Sequence, residues 1–349
     1  MLTEGEGVLR HYYWLLLVGF SLCASFLLGY YLFSLPTTAN VSVEKSTKYT
    51  KPQAIDGYIQ PLPAIESIDG QWLQLGKALF HSNLLSKDNT ISCASCHMID
   101  YGGDDGFPVS TGVNSQVGER NSPTVLNAVF NFRQFWDGRA KGLAEQAAGP
   151  VHNPIEMATN WPEVINKLQQ DHYFSQAFSR LGVDQISSDA IVKAIVVFQQ
   201  SLVTPNAPID RYLLGEKEAL DSQQIRGFQT FQRLGCVTCH QGRNIGGNLY
   251  QKVGRIDQLP ESLKDDLGLF TLSQQAEDKH VFKVPSLRNV AQTAPYFHNG
   301  SVASLEQAVT IMAKVQLGID IAEQDRDDIV AFLHSLSAPV QSLSEYETK

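Results

Sequence analysis

Four of the five cysteines stand in two copies of one spacing, Cys93-Ala-Ser-Cys96-His97 and Cys236-Val-Thr-Cys239-His240. With five cysteines and nine histidines in 349 residues, Cys-x-x-Cys-His is expected by chance roughly 0.002 times per chain, so two copies are not accidental. The spacing has a chemical reason. Two thiols three residues apart can form thioethers to the two vinyl groups of one haem, and the histidine that follows is then placed to bind the iron axially. A zinc site would need the pairs to converge on four ligands, and a redox dithiol would need a βαβ context that the sequence lacks. Two covalently bound c-type haems are therefore expected.

The second axial ligand of each iron separates electron transfer from catalysis. Met98 follows His97 too closely to reach the opposite haem face, which leaves Met157 and Met312, 60 and 72 residues after His97 and His240. Either spacing suits a small cytochrome unit, and core packing is the alternative for each. Glu156, beside Met157, would suit acid–base work at an iron; as a residue type it fits an ordinary solvated position equally well.

Elements that position these residues read as helices. Apolar residues recur at three- to four-residue spacing over 70–81, 187–203, 221–233, 303–317 and 321–336. Few stretches alternate with period two, so no large sheet is expected, and long glycine-rich loops fall at 101–122 and 241–256. A weak repeat accompanies the cysteines: Gly76-x-x-x-Phe80 precedes Cys93 as Gly227-x-x-x-Phe231 precedes Cys236. The expected fold is mainly α, with two cytochrome c-like helical haem domains over 66–205 and 206–340, a tail at 341–349, and an N-terminal transmembrane helix.

That helix rests on residues 12–33, 22 residues without a charge, which span ~33 Å at the α-helical rise. Tyr12, Tyr13 and Trp14 flank one end and Tyr30 and Tyr31 the other, as interfacial residues do. Residues 1–35 are thus expected to anchor the chain and 36–65, rich in Pro, Thr, Ser and Lys, to link anchor and body. A cleaved signal peptide, giving a soluble periplasmic protein, is the competing reading. Cys23 is then an apolar anchor residue. Arg10 before the span and Lys45, Lys48 and Lys51 after it point the body to the cytoplasm by charge. Haem attachment overrides that rule, because it takes place on the outer side of the bacterial inner membrane. The formal charge of −9 disfavours nucleic acid as a partner.

At these residues the chain resembles the bacterial dihaem cytochrome c peroxidase family. The resemblance runs from about Leu75 to Leu317 and includes SCASCH, GERNSPTVLNAVFNFRQFWDGRAKGLAEQAAGPV, GCVTCHQGRNIGG and VPSLRNVAQTAPYFHNGSVASLEQAVTIM. It implies that His97 is the proximal ligand of a peroxidatic haem and that His240 and Met312 are the axial pair of an electron-transfer haem. A tyrosine at the Met312 position would point instead to the protein-modifying MauG type. Glu156 is similar to the family's acid–base carboxylate and Gln146 to its polar companion, which returns Met157 to packing; Trp136 matches the tryptophan between the haems. The family also holds a calcium ion, whose ligands would be the Asn121 side chain and the Thr293 and Pro295 carbonyls.

One departure stands out: many members carry a histidine where this chain has Val113, and that histidine blocks the peroxidatic iron until the enzyme is reduced. Valine cannot ligate, so an open iron in the oxidised protein is expected, with His81 or His152 as substitutes to be tested. The implied reaction is reduction of hydrogen peroxide with electrons from a small periplasmic cytochrome c or cupredoxin. The rivals are a non-catalytic dihaem carrier and a quinol-linked peroxidase, though no third Cys-x-x-Cys-His is present to relay electrons from a quinol. A homodimer is left open.

Overall fold

Helix ends in this chain are specified by side chains that close the open backbone groups. Asp69 caps the helix Gly70–Phe80 by accepting from the Gln71 and Trp72 N–H groups, Ser187 caps Ser188–Ser201, and Ser304 caps Leu305–Leu317. Asp221 and Gln224 cap each other's backbone at Ser222–Arg233. The computed structural model describes residues 47–51 and 57–342. In order these form β1 (Thr47–Tyr49), β2 (Ile65–Ile68), α1 (Gly70–Phe80), α2 (Cys93–Cys96), α3 (Leu143–His152), α4 (Trp161–Gln170), α5 (His172–Arg180), α6 (Ser188–Ser201) and α7 (Pro208–Leu213). There follow α8 (Ser222–Arg233), β3 (Tyr250–Lys252), α9 (Phe270–Ser273), β4 (Val281–Lys283), α10 (Leu305–Leu317) and α11 (Glu323–His334). The described chain is mainly helical; its strands make two antiparallel pairs, β1–β2 and β3–β4.

The Gly-x-x-x-Phe repeat has a common packing cause. α1 crosses α6, and Gly76 meets α6 so closely that a Cβ there would strike the Ala194 carbonyl oxygen and the Phe198 side chain. α8 crosses α11 in the same way, with Gly227 against the Asp328 carbonyl and Phe332. The paired aromatics follow suit: Phe80–Phe198 ring centroids are 5.1 Å apart and Phe231–Phe332 centroids 5.2 Å. Each crossing sits in its own apolar cluster. One gathers Leu73, Leu79, Phe80, Leu168, Phe178, Ile191, Ile195 and Phe198; the other gathers Ile209, Phe231, Ile245, Ile329, Phe332 and Leu333.

The segment expected to be a linker, 36–65, is part of the body over much of its described length. β1 pairs with β2, and Ile59, Leu62 and Ile65 are buried. Ile59 belongs to the second cluster, although it precedes the first in sequence. A buried ion pair holds this strap: Arg288 and Asp210 meet at 2.7 Å, Arg288 Nη2 donates to the Gln60 carbonyl, and the Leu62 N–H donates to Asp210. At the other end Val340 packs on the first cluster, while the Gln341 N–H donates to Val203 O and its side chain accepts from Ile65 N. Composition hid both ends, because a strap rich in Pro and Lys needs only a few buried apolar residues to dock. The expected anchor at 12–33 lies outside the described residues. Among those described, no helix is long and apolar enough to cross a membrane.

Candidate active site and haem pockets

The first Cys-x-x-Cys-His is built by one helical turn. Ser92 and Ser95 cap each other around α2, so Cys93 and Cys96, three apart, lie on neighbouring positions of one face. Burial pushes both thiols up, Cys93 to about 12 and Cys96 to about 11. Neither is therefore the activated thiolate of a redox dithiol. Among the described residues no group of three or more His, Cys, Asp or Glu is placed to hold a metal ion.

After His97 the loop folds back: Met98 N donates to Asp104 O, and Gly103 N to Met98 O, both at 2.9 Å. This brings the Gly103 carbonyl to 3.3 Å from His97 Nδ1. Ser122 Oγ, donating to Cys96 O at 2.8 Å, lies 3.2 Å from the same nitrogen. With Nδ1–H so engaged, Nε2 is the nitrogen left to bind iron. The second site repeats the device, His240 Nδ1 lying 3.3 Å from the Ile245 carbonyl. Burial lowers the pKa of both imidazoles, His240 to about 4, which favours the neutral form an axial ligand needs. Thiol spacing, imidazole orientation and charge state fit haem at both positions.

A cavity of about 550 Å³ opens beside the second pattern and is lined by Cys236, Cys239, His240 and Met312. Trp136, Asn121, Thr293 and Pro295 line the same cavity. Asn121 Nδ2 donates to the Phe107 carbonyl at 2.9 Å, which turns its Oδ1 to the role of acceptor or ligand. The three residues expected to hold calcium thus line one cavity.

Glu156 follows the C-terminal end of α3, half-buried, with Asn153 Nδ2 donating to its Oε1 at 2.5 Å. Burial raises its pKa; the Asn153 bond and the charge of Arg139 oppose that rise. Its own charge acts on Cys93 and Cys96, so it belongs to the first site. Val113 is fully buried and its N–H donates to the Glu156 carbonyl at 2.9 Å. Gln146, on α3, accepts from Gln199 Nε2 at 3.2 Å; the structure does not join it to Glu156 by a hydrogen bond. Met157 is 3% exposed within the first apolar cluster, a packing residue. His81 Nδ1 is engaged by the Lys77 carbonyl at 2.9 Å, and His152 packs edge-on against Trp161.

Trp136 is fixed by its neighbours. Its Nε1 donates to the Asn121 carbonyl at 2.9 Å, and the following Asp137 takes Arg120 and Arg139, with Arg120 bound bidentately to Asp266. A second internal repeat emerges here. Phe135-Trp136-Asp137-Gly138 and Phe297-His298-Asn299-Gly300 share a left-handed Phe and a left-handed Gly, and each lies between equally spaced bridges, Gln134↔Ala140 and Tyr296↔Val302. Trp136 and His298 are therefore counterparts, and their rings meet edge-on at 6.4 Å. The two halves also exchange hydrogen bonds: Asn121 N donates to His298 O at 2.8 Å and Lys283 N to Trp136 O at 2.9 Å. Sequence reasoning missed His298, Lys283, Ser122 and this repeat; the spacing from Pro123 to Trp136 and from Pro285 to His298, 13 residues in each, was the available signal.

A mainly helical body with two oriented Cys-x-x-Cys-His sites and a half-buried carboxylate at one of them defines a dihaem c-type peroxidase. The chain belongs to the di-haem cytochrome c peroxidase family, whose model matches residues 71–218. It is 44% identical over 291 residues to cytochrome c peroxidase Ccp of Escherichia coli, covering 82% of this chain and 63% of that protein. It is 44% identical over 279 residues to cytochrome c551 peroxidase of Pseudomonas aeruginosa, covering 78% and 80% respectively. Among solved structures, a MauG-like protein associated with microbial copper homeostasis superposes with a TM-score of 0.72 at 25% identity, over 86% of this chain and 99% of that one.

Proposed function

We propose that this protein reduces hydrogen peroxide to water, H₂O₂ + 2e⁻ + 2H⁺ → 2H₂O, at the His97 site, with electrons entering through the His240–Met312 site. Residues 66–205 and 206–340 act as the two haem units. Cys93, Cys96 and His97 would hold a haem, which would supply an iron site for peroxide and reducing equivalents for the reaction. The chain supplies the proton transfers. Glu156 takes the proton from one peroxide oxygen and returns it to the other, so that water rather than hydroxide leaves. Gln146 orients the substrate, and Trp136 lies on the electron path.

The observation that carries this reading is Glu156, a carboxylate made more basic by burial and acting electrostatically on the thiols of one haem site only. Glu156→Gln keeps an acceptor for Asn153 but removes the base, and peroxide turnover is expected to fall about 10²–10⁴-fold with haem content unchanged. Unchanged turnover would convert the protein into an electron carrier.

The donor is a small c-type cytochrome, a reading supported by the name of the Pseudomonas aeruginosa relative. The net charge of −9 suits a basic donor, so the rate should fall as salt rises. Asn121, Thr293 and Pro295 hold calcium; metal analysis of Asn121→Ala should show it lost. The body is periplasmic, as covalent haem attachment requires, and residues 12–33 tether it. Release by alkaline carbonate washing would refute the tether.

A further inference from the structure

Lys283 ends β4 and is 6% exposed, yet among the described residues no carboxylate forms an ion pair with it. Burial alone lowers its pKa, to about 8, with no opposing charge acting on it. A buried ammonium without a counter-ion is costly, and natural proteins pair such groups. His298 presents a second unpaired group. It is 3% exposed, stacked on Phe282 with centroids 4.5 Å apart, and its Nε2 is buried without a hydrogen-bond partner. Both residues line the cavity that holds His240 and Met312, and both are bound to the centre of the molecule by the exchanged hydrogen bonds with Trp136 and Asn121. A cation and an imidazole, each lacking a partner and both lining one cavity, describe a seat for an anion.

The occupant follows from the chemistry of the cavity. The group attached at Cys236 and Cys239 carries two propionate carboxylates, and no other anion is required there. We propose that Lys283 and His298 together seat a propionate of the His240 haem, turning that edge of the haem toward Trp136. The inference rests on haem occupying the second Cys-x-x-Cys-His. It gives Lys283 a consequence beyond holding the haem in place. A fixed positive charge in a dry cavity favours the reduced, less positive iron, so Lys283 raises the potential of the electron-transfer haem. It also gives His298 a role as the counterpart of Trp136 in the second half: one ring lies beside the electron path and the other fixes the haem edge from which that path starts.

The test uses the holoprotein, whose mass first establishes two attached haems; a chain with one haem or none would overturn the dihaem reading itself and is distinguishable from failure of this proposal. Spectroelectrochemical titration of Lys283→Met should lower the midpoint potential of the His240–Met312 haem by at least a tenfold change in its reduction equilibrium, about 59 mV for one electron. The potential of the His97 haem should stay within error. Lys283→Arg should restore the wild-type value, and His298→Gln should shift the potential less when Lys283 is already Met than when it is present. If Lys283→Met does not retain haem, Lys283→Gln is measured against the same criteria. An unchanged potential in the Lys283 variant with both haems attached overturns the proposal, as does a lowered potential that arginine fails to restore.

Discussion

Replacing Asn153 tests the assignment of Glu156 without touching the carboxylate. Asn153 Nδ2 donates to Glu156 Oε1 at 2.5 Å, and this bond holds the carboxyl below the value that burial alone would give it. A hydrogen bond to a charged group is worth about 1.5–3 kcal/mol. Its loss should therefore raise the Glu156 pKa further above the usual carboxylate range. A base must be ionised to accept a proton, so activity is present above its pKa and falls as pH drops through it. The acid limb of kcat/KM for peroxide should therefore move to higher pH in Asn153→Ala. Asn153→Asp, which sets a second carboxylate against the first, should move it further in the same direction. The assay is steady-state turnover with a reduced donor across the pH range, with haem content and circular dichroism matched to wild type. A limb that stays in place in both variants would show that another group takes the proton, and the mechanism built on Glu156 would fall.

The coordination of the first haem is open to spectroscopy. Val113 offers no donor atom and is locked to the Glu156 backbone, so oxidised protein should show a high-spin ferric EPR component and bind cyanide without prior reduction; a purely low-spin bis-histidine spectrum would end that expectation. Gly227→Ala forces a methyl group onto the Asp328 carbonyl and should cost about 1–3 kcal/mol by overpacking, seen as a lowered Tm with the haem spectrum retained. An unchanged melting point would mean that the α8–α11 crossing is looser than its geometry implies.

Legibility in the sequence followed the range of the interaction. The cysteine–histidine patterns and the Gly-x-x-x-Phe repeats are local spacings: the repeats lie on α1 and α8 in matching roles, the first cysteine pair on α2 and the second on a 3-10 turn just after α8. Helices over 70–80, 188–201, 222–233, 305–317 and 323–334 lie where apolar periodicity put them, to within two residues at each end. α3 escaped because Gly149 and Pro150 interrupt its last turns, although it leads directly to Glu156. The groups that orient the haem ligands were invisible for a different reason. Gly103 and Ile245 act through carbonyl oxygens, which every residue carries, so no letter of the sequence announces them. Lys283 read as one more lysine, because solitary burial belongs to the folded chain and not to the residue type. Family resemblance supplied roles for Glu156, Gln146 and Trp136 that residue chemistry had left undecided.

The crossed ends of the body have a consequence for the order in which it is made. Ile65 and Gln341 are joined by hydrogen bonds across 276 positions, and the Ile59 strap rests on partners near Asp210, Gly242 and Arg288. A chain emerging from its N-terminus therefore carries its clasp long before the catch exists. The first haem unit can form its local helices early, but its margin stays ungathered until the last residues arrive, and contacts of such long range form slowly. Both Cys-x-x-Cys-His motifs precede Gln341 in the chain, so both are made before the clasp can close. Closure, when it comes, ties the margins of both apolar clusters together.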